Sequence, residues 1–201
     1  MNQHETEAAP RPAGGDTLLA AINASTDVDY ITDGTHTGPS SSAQTIIEAI
    51  HRLRVIGEKL DIAWCGAAIA AIFLKRPWLH SVTIEITAES QFGDEGGTYM
   101  SRTIAFSRAI AVTGATVPSD LRTPDGELDS DALADELREE HDDSAWDFGL
   151  PFLEPGQGGE VTLLPTRDQL APVLSRPGAV SGIEAARLLW PDHGALRTRA
   201  A

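Results

Sequence analysis

The stretch Leu79-His-Ser-Val-Thr-Ile-Glu-Ile-Thr87, joined through Gln91-Phe-Gly-Asp-Glu-Gly-Gly97 to a second run from Met100 to Val112, decides the fold. Val82, Ile84 and Ile86 alternate with Thr83, Glu85 and Thr87, the period of a strand with one buried face. Met100, Arg102, Ile104, Phe106, Arg108, Ile110 and Val112 repeat the period on the far side of the glycine-rich turn. Two such runs joined by a short loop form an antiparallel hairpin.

Upstream the period lengthens. Ile46, Ile50, Leu53 and Leu60, with Ile47 and Ile56, recur at helical spacing, while Glu48, Arg52, Glu58 and Lys59 face outward. Ser41 and Gln44 have the spacing of a capping box. A second, almost wholly apolar helix follows through Ile62-Ala-Trp-Cys-Gly-Ala-Ala-Ile-Ala-Ala-Ile-Phe-Leu74 and is stopped by Pro77. Its small residues Gly66, Ala67, Ala70 and Ala71 admit a close neighbour. Trp64 and Trp78 are expected to pack inside.

Downstream, Asp129 or Ser130 opens an acidic helix through about His141, with Leu133 and Leu137 as a narrow apolar stripe. Gly158 and Gly159 lead a strand over Glu160-Val-Thr-Leu-Leu164. Two short helices follow, with capping-box spacing at Thr166/Gln169 and Ser181/Glu184. Residues 1–15, rich in Pro, Gly and polar residues, read as a disordered tail. Residues 16–201 read as a single α+β domain: an antiparallel sheet around a central hairpin, packed against two long helices.

Charge is the strongest functional signal. The chain carries a formal net charge of −15, and the stretch from Glu85 to Asp147 holds sixteen Asp and Glu against four Arg. Such a surface repels nucleic acid and anionic membranes and attracts cationic partners. Glu139, Glu140, Asp142 and Asp143 stand at the C-terminal end of the acidic helix, where the helix dipole disfavours carboxylates. Helix stability therefore does not account for them; a cationic partner is one explanation, and a purely solvated face is the more common one. Glu136, Glu139, Glu140, Asp142, Asp143, Trp146 and Asp147 are the expected partner-binding residues, with Trp146 as an apolar anchor. Neutralising Glu136, Glu139, Glu140, Asp142 and Asp143 together is expected to weaken binding and to spare folding.

Other chemistries find less support. Asp94 and Glu95, between glycines, are candidate ligands for a hard cation and the basis of an alternative reading as a metal-dependent enzyme. They are adjacent in sequence, however, so on extended backbone they point apart. The Asp125–Asp131 segment lacks the calcium-loop spacing, and the histidines show no zinc pattern. No Gly-x-Ser-x-Gly elbow is present. Cys65, the one cysteine, sits in the apolar run with no basic neighbour and reads as an inert buried thiol. That run is too short to cross a bilayer and is internal, so a soluble, cytoplasmic protein without cofactor is expected.

The strand Val82–Thr87, the Gly93-Asp-Glu-Gly96 turn, the helix Asp131–His141, and Trp146-Asp147 with the strand Gly158–Leu163 together resemble a family of uncharacterised small domains of bacterial plasmids and genomic islands. The turn here has Asp-Glu-Gly-Gly where the family pattern has Asp-Ser-Gly-Gln. The resemblance covers residues 79–165 and implies a fold and a mobile-element setting, without a mechanism. The functional expectation is thus a non-enzymatic acidic protein that binds a basic protein surface, in its narrowest form as a nucleic-acid mimic.

Overall fold

The computed structural model describes residues 30–32, 37–93, 96–153 and 158–192. The tail expected over residues 1–15 lies outside them. The chain divides into two compact units, Met1–Ile56 and Gly57–Ala201.

In the first unit, strands β1 (Tyr30–Thr32) and β2 (Thr37–Pro39) pair antiparallel, with Ile31 opposite Gly38. Helix α1 (Ser41–Lys75) then begins. Its cap is Ser40, not Ser41: the Ser40 hydroxyl accepts from Ala43 N at 3.2 Å. Gln44, expected to close a capping box, donates instead to Glu48. Ile47, Ile50, Leu53 and Ile56, which the periodicity assigns to a core, stand exposed. An apolar period specifies a helix face but not what covers it.

The two helices expected in sequence run on as one helix of 35 residues. Gly57 falls at its middle, where a glycine costs only about 1 kcal/mol relative to alanine. Pro77 sets the true end, because the residue before a proline is driven out of helical geometry.

The second unit holds the sheet. Strands β3 (Leu79–Gly93) and β4 (Gly97–Ala111) form the expected hairpin, with Ile86 opposite Ile104 and Ile84 opposite Phe106. Strand β5 (Gly159–Leu163) joins the other edge of β3 antiparallel, giving the order β4-β3-β5. Val82, Ile84, Ile86 and Ala88 are buried, as the alternation requires. On β4 the alternation breaks. Ser81 pairs with Ile110, but Thr83 pairs with Ser107, so β4 carries an extra residue, and Arg108 takes a positive φ of 46°. A bulge of this kind shifts the side-chain phase by one. Ile110 is consequently turned out to solvent, while Ala109 and Ala111 pack against the core.

Helix α2 (Ser130–His141) lies on β4, followed by the short helix α3 (Ala145–Gly149). Asp129 caps α2, its carboxylate accepting from Asp131 N and Ala132 N. Ser130 Oγ donates to Ala109 O at 3.0 Å and ties the helix start to β4. Helix α4 (Arg167–Leu174) starts with the expected capping box of Thr166 and Gln169. Helix α5 (Gly182–Leu189) starts at Ser181 without a side-chain cap, and Glu184, expected to close a capping box there, accepts from Arg176 at 2.9 Å instead.

The apolar run Ile62–Phe73 forms one core with the sheet, α2 and α4. Cys65, Ile69, Phe73, Leu133, Leu137 and Leu170 are fully buried within it. Burial pushes the Cys65 thiol far up, so it is not a nucleophile at neutral pH. The small-residue stripe of α1 meets α5. A Cβ built on Gly66 would run into Gly182 O and Ala186 N, and one on Gly182 into Ala63 O. The two backbones approach so closely that neither glycine position has room for a side chain. Gly66→Ala and Gly182→Ala should each lower the urea-unfolding free energy by about 1–3 kcal/mol through overpacking. Ala68→Gly, at a half-buried position of the same helix, should cost only the propensity difference of about 1 kcal/mol.

Candidate functional site

The C-terminus of a helix leaves carbonyls that no later N–H can reach. At the end of α1, Leu74 and Lys75 are exposed but Phe73 is buried, and Pro77 has no N–H to offer the Phe73 carbonyl; Arg167 supplies the donor. Its guanidinium donates to Leu79 O through Nε at 2.8 Å, to Arg76 O through Nη2 at 2.8 Å, and to Phe73 O. It also lies 5.8 Å from the centre of the Phe73 ring. The planar fork of arginine suits several acceptors at once, and its charge suits the negative end of the helix dipole.

Arg76, one residue past the helix, points the other way and gathers acids. Its side chain is only 7% exposed, and it pairs with Glu136 and, at 2.9 Å, with Glu140. Lys75 pairs with Glu140 as well. Burial alone would raise the Glu140 carboxyl, but hydrogen bonds from Lys75 and Arg76, with their charges, hold it down to about 2. Of the carboxylates that the helix dipole disfavours at the end of α2, Glu140 therefore finds two cations inside the chain. This corrects the expectation that the acids of α2 can be neutralised without touching the fold. Glu136 and Glu140 hold a buried guanidinium whose Nε and Nη1 find no acceptor among the described residues.

The other expected partner-binding residues are placed differently. Glu139 and Asp143 are exposed, with no cation paired to them among the described residues. Asp135 forms an exposed pair with Arg138 at 2.6 Å. The side chains of Asp142 and Trp146 lie outside the described residues, as do Asp94 and Glu95 entirely. Among the described residues no group of three His, Cys, Asp or Glu is placed to hold a metal ion. Nor, among the described residues, is any helix long and apolar enough to cross a membrane.

Asp147 lies in a cleft that sequence reading missed. The cleft has a volume of about 430 Å³ and is lined by Leu60, Asp61, Ala63 and Trp64 of α1 with Asp147 and Leu150. Leu60, Asp61 and Trp64 share one face of α1 because residues three and four apart are neighbours on a helix. Trp64, expected in the core, is 38% exposed: one side packs edge-to-face on Phe148 at 5.1 Å, and the rest lines the cleft. Leu60 is 64% exposed. The spacing Leu60-Asp61-x-x-Trp64 was the visible signal, an acid set among large apolar residues on one helix face. A second concavity of about 520 Å³, lined by Phe152, Leu164, Pro165, Trp190 and Pro191 among others, is also apolar.

No protein-family model, curated protein or solved structure matches this chain.

Below Glu140 in the helix order, His141 is half-buried between Phe106 and Phe148, with ring centres 5.8 and 5.5 Å away. Burial pushes its pKa down from the usual 6.5; the Glu140 carboxylate opposes this, and Lys75 and Arg76 add to it. The folded state thus favours neutral His141, whereas the unfolded chain protonates near 6.5, so stability falls as pH drops below that value. Glu140 acts in a lower window: its contribution is present above about 4.5 and is lost as pH falls through about 2. Urea midpoints measured across pH should separate the two. His141→Phe should remove the loss that begins below about pH 6.5 and keep the acid limb. Glu140→Gln should cost about 1.5–3 kcal/mol at neutral pH and flatten the limb below about pH 4.5.

Proposed function

We propose that this protein is a non-enzymatic interaction protein that binds a basic protein surface through its acidic residues. The observation that carries the reading is the division of the acids. Glu136 and Glu140 have cations within the chain, whereas Asp131, Glu139, Asp143 and Asp147 have none among the described residues. Against a formal charge of −15, these groups repel one another until a cationic partner approaches. Attraction of this kind raises the association rate, selects the sign of the partner and weakens with salt.

Nucleic-acid mimicry is not part of the proposal, because Glu136 and Glu140, central to the acidic run, are turned toward Arg76 and Lys75. The alternative enzyme reading rests on Asp94 and Glu95, outside the described residues.

A soluble arginine/alanine peptide tests the reading. Its affinity should fall by about tenfold or more between about 50 and 300 mM salt. It should fall similarly when Asp131, Glu139, Asp143 and Asp147 are together changed to Asn or Gln, with the melting temperature preserved. Unchanged affinity in that variant rejects the acidic surface as the binding determinant.

A further inference from the structure

The cleft beside Trp64 combines features that a diffuse acidic surface does not need. Its walls are mostly apolar, from Leu60, Ala63, Trp64 and Leu150, while two acidic residues, Asp61 and Asp147, line it from different elements. Neither carboxylate is paired with a cation among the described residues, and both side chains are half-buried. Apolar walls with charged groups suit one kind of side chain, a long apolar stem ending in a cation. Lysine and arginine both fit that description, but arginine fits better. Its planar head stacks on an indole and divides its donors between two carboxylates, whereas an ammonium is a strongly hydrated point charge.

We propose that this cleft is the socket for an arginine side chain carried by an apolar-flanked basic segment of the partner protein. The inference rests on the acidic-partner reading and names where that partner is anchored. The arginine stem lies against Leu60 and Leu150, its guanidinium against the Trp64 ring, and its N–H groups donate to Asp61 and Asp147. Apolar residues flanking the arginine cover the exposed part of Leu60. The exposed acids Glu139 and Asp143 steer the approach and contribute less to the bound state.

The test uses the full chain and a leucine/alanine peptide with one central arginine and basic ends. Two sister peptides replace that arginine by lysine or by citrulline, its neutral isostere. The socket predicts that citrulline weakens binding by about tenfold or more and lysine by a smaller factor. The pair Asp61→Asn with Asp147→Asn should remove the preference for arginine over citrulline. The pair Glu139→Gln with Asp143→Asn should keep it and lose only overall affinity. Leu60→Gln, at a largely exposed position, should weaken all three peptides without lowering the melting temperature. Equal losses in the two acid pairs, or indifference to citrulline, overturn the socket and leave the acidic-partner reading standing. If none of the peptides binds at low salt, both fall.

Discussion

The buried Phe73 carbonyl in the last turn of helix α1, which Pro77 leaves without a backbone donor, is the constraint on which the rest of the structure depends. A helix that ends inside a protein presents carbonyls without donors, and each one left unsatisfied costs about 1–3 kcal/mol. Phe73 and Leu79 are fully buried, so water does not solve the problem. Arg167 solves it at Phe73 O from the first turn of α4, and it donates as well to Arg76 O, which also accepts from Leu79 N, and to Leu79 O at the start of β3. That single side chain joins the long helix, the start of β3 and the start of α4. Arg76 extends the junction to α2 through Glu136 and Glu140. Four elements therefore meet at one point, and the sheet and the acidic helix are set relative to it.

This junction also sorts the acidic residues. A run of carboxylates on α2 looks uniform as a sequence, yet the fold gives its members two different tasks. Those facing the end of α1 compensate a buried guanidinium, which would be strongly unfavourable if left alone. Those facing away, together with Asp61 and Asp147 at the cleft, have no cation paired to them among the described residues. The functional reading depends on this second group, and the first explains Glu140 alone among the carboxylates near the helix C-terminus.

Much of the architecture was legible because it is written locally. The period-two runs around the Gly93–Gly97 turn gave the hairpin, and Pro77 fixed the end of the long helix. Thr166 and Gln169 gave a true capping box. The small-residue stripe of α1 announced a close neighbour, found in α5. Failures came where a local rule met a choice between equivalent partners. Ser40 and Ser41 are both able to cap, and Gln44 and Glu184 had competing partners in Glu48 and Arg176. The bulge at Arg108 left no mark in the pattern, because Ala109 and Ala111 are as acceptable inward as Ile110. The site was the least legible part. Arg76 lies 60 residues from Glu136, and Trp64 meets Phe148 and lines a cleft with Asp147 only after folding. No periodicity links residues so far apart.

The stability of Arg167 variants tests the central claim most directly. Arg167→Met removes every donor while keeping much of the stem, and it should lower the unfolding free energy by about 3 kcal/mol or more. Arg167→Lys keeps the charge but not the planar fork, and it should recover less than half of that loss. If either variant unfolds within about 0.5 kcal/mol of the parent protein, as an ordinary surface substitution does, the helix end is not held by this arginine and the account fails.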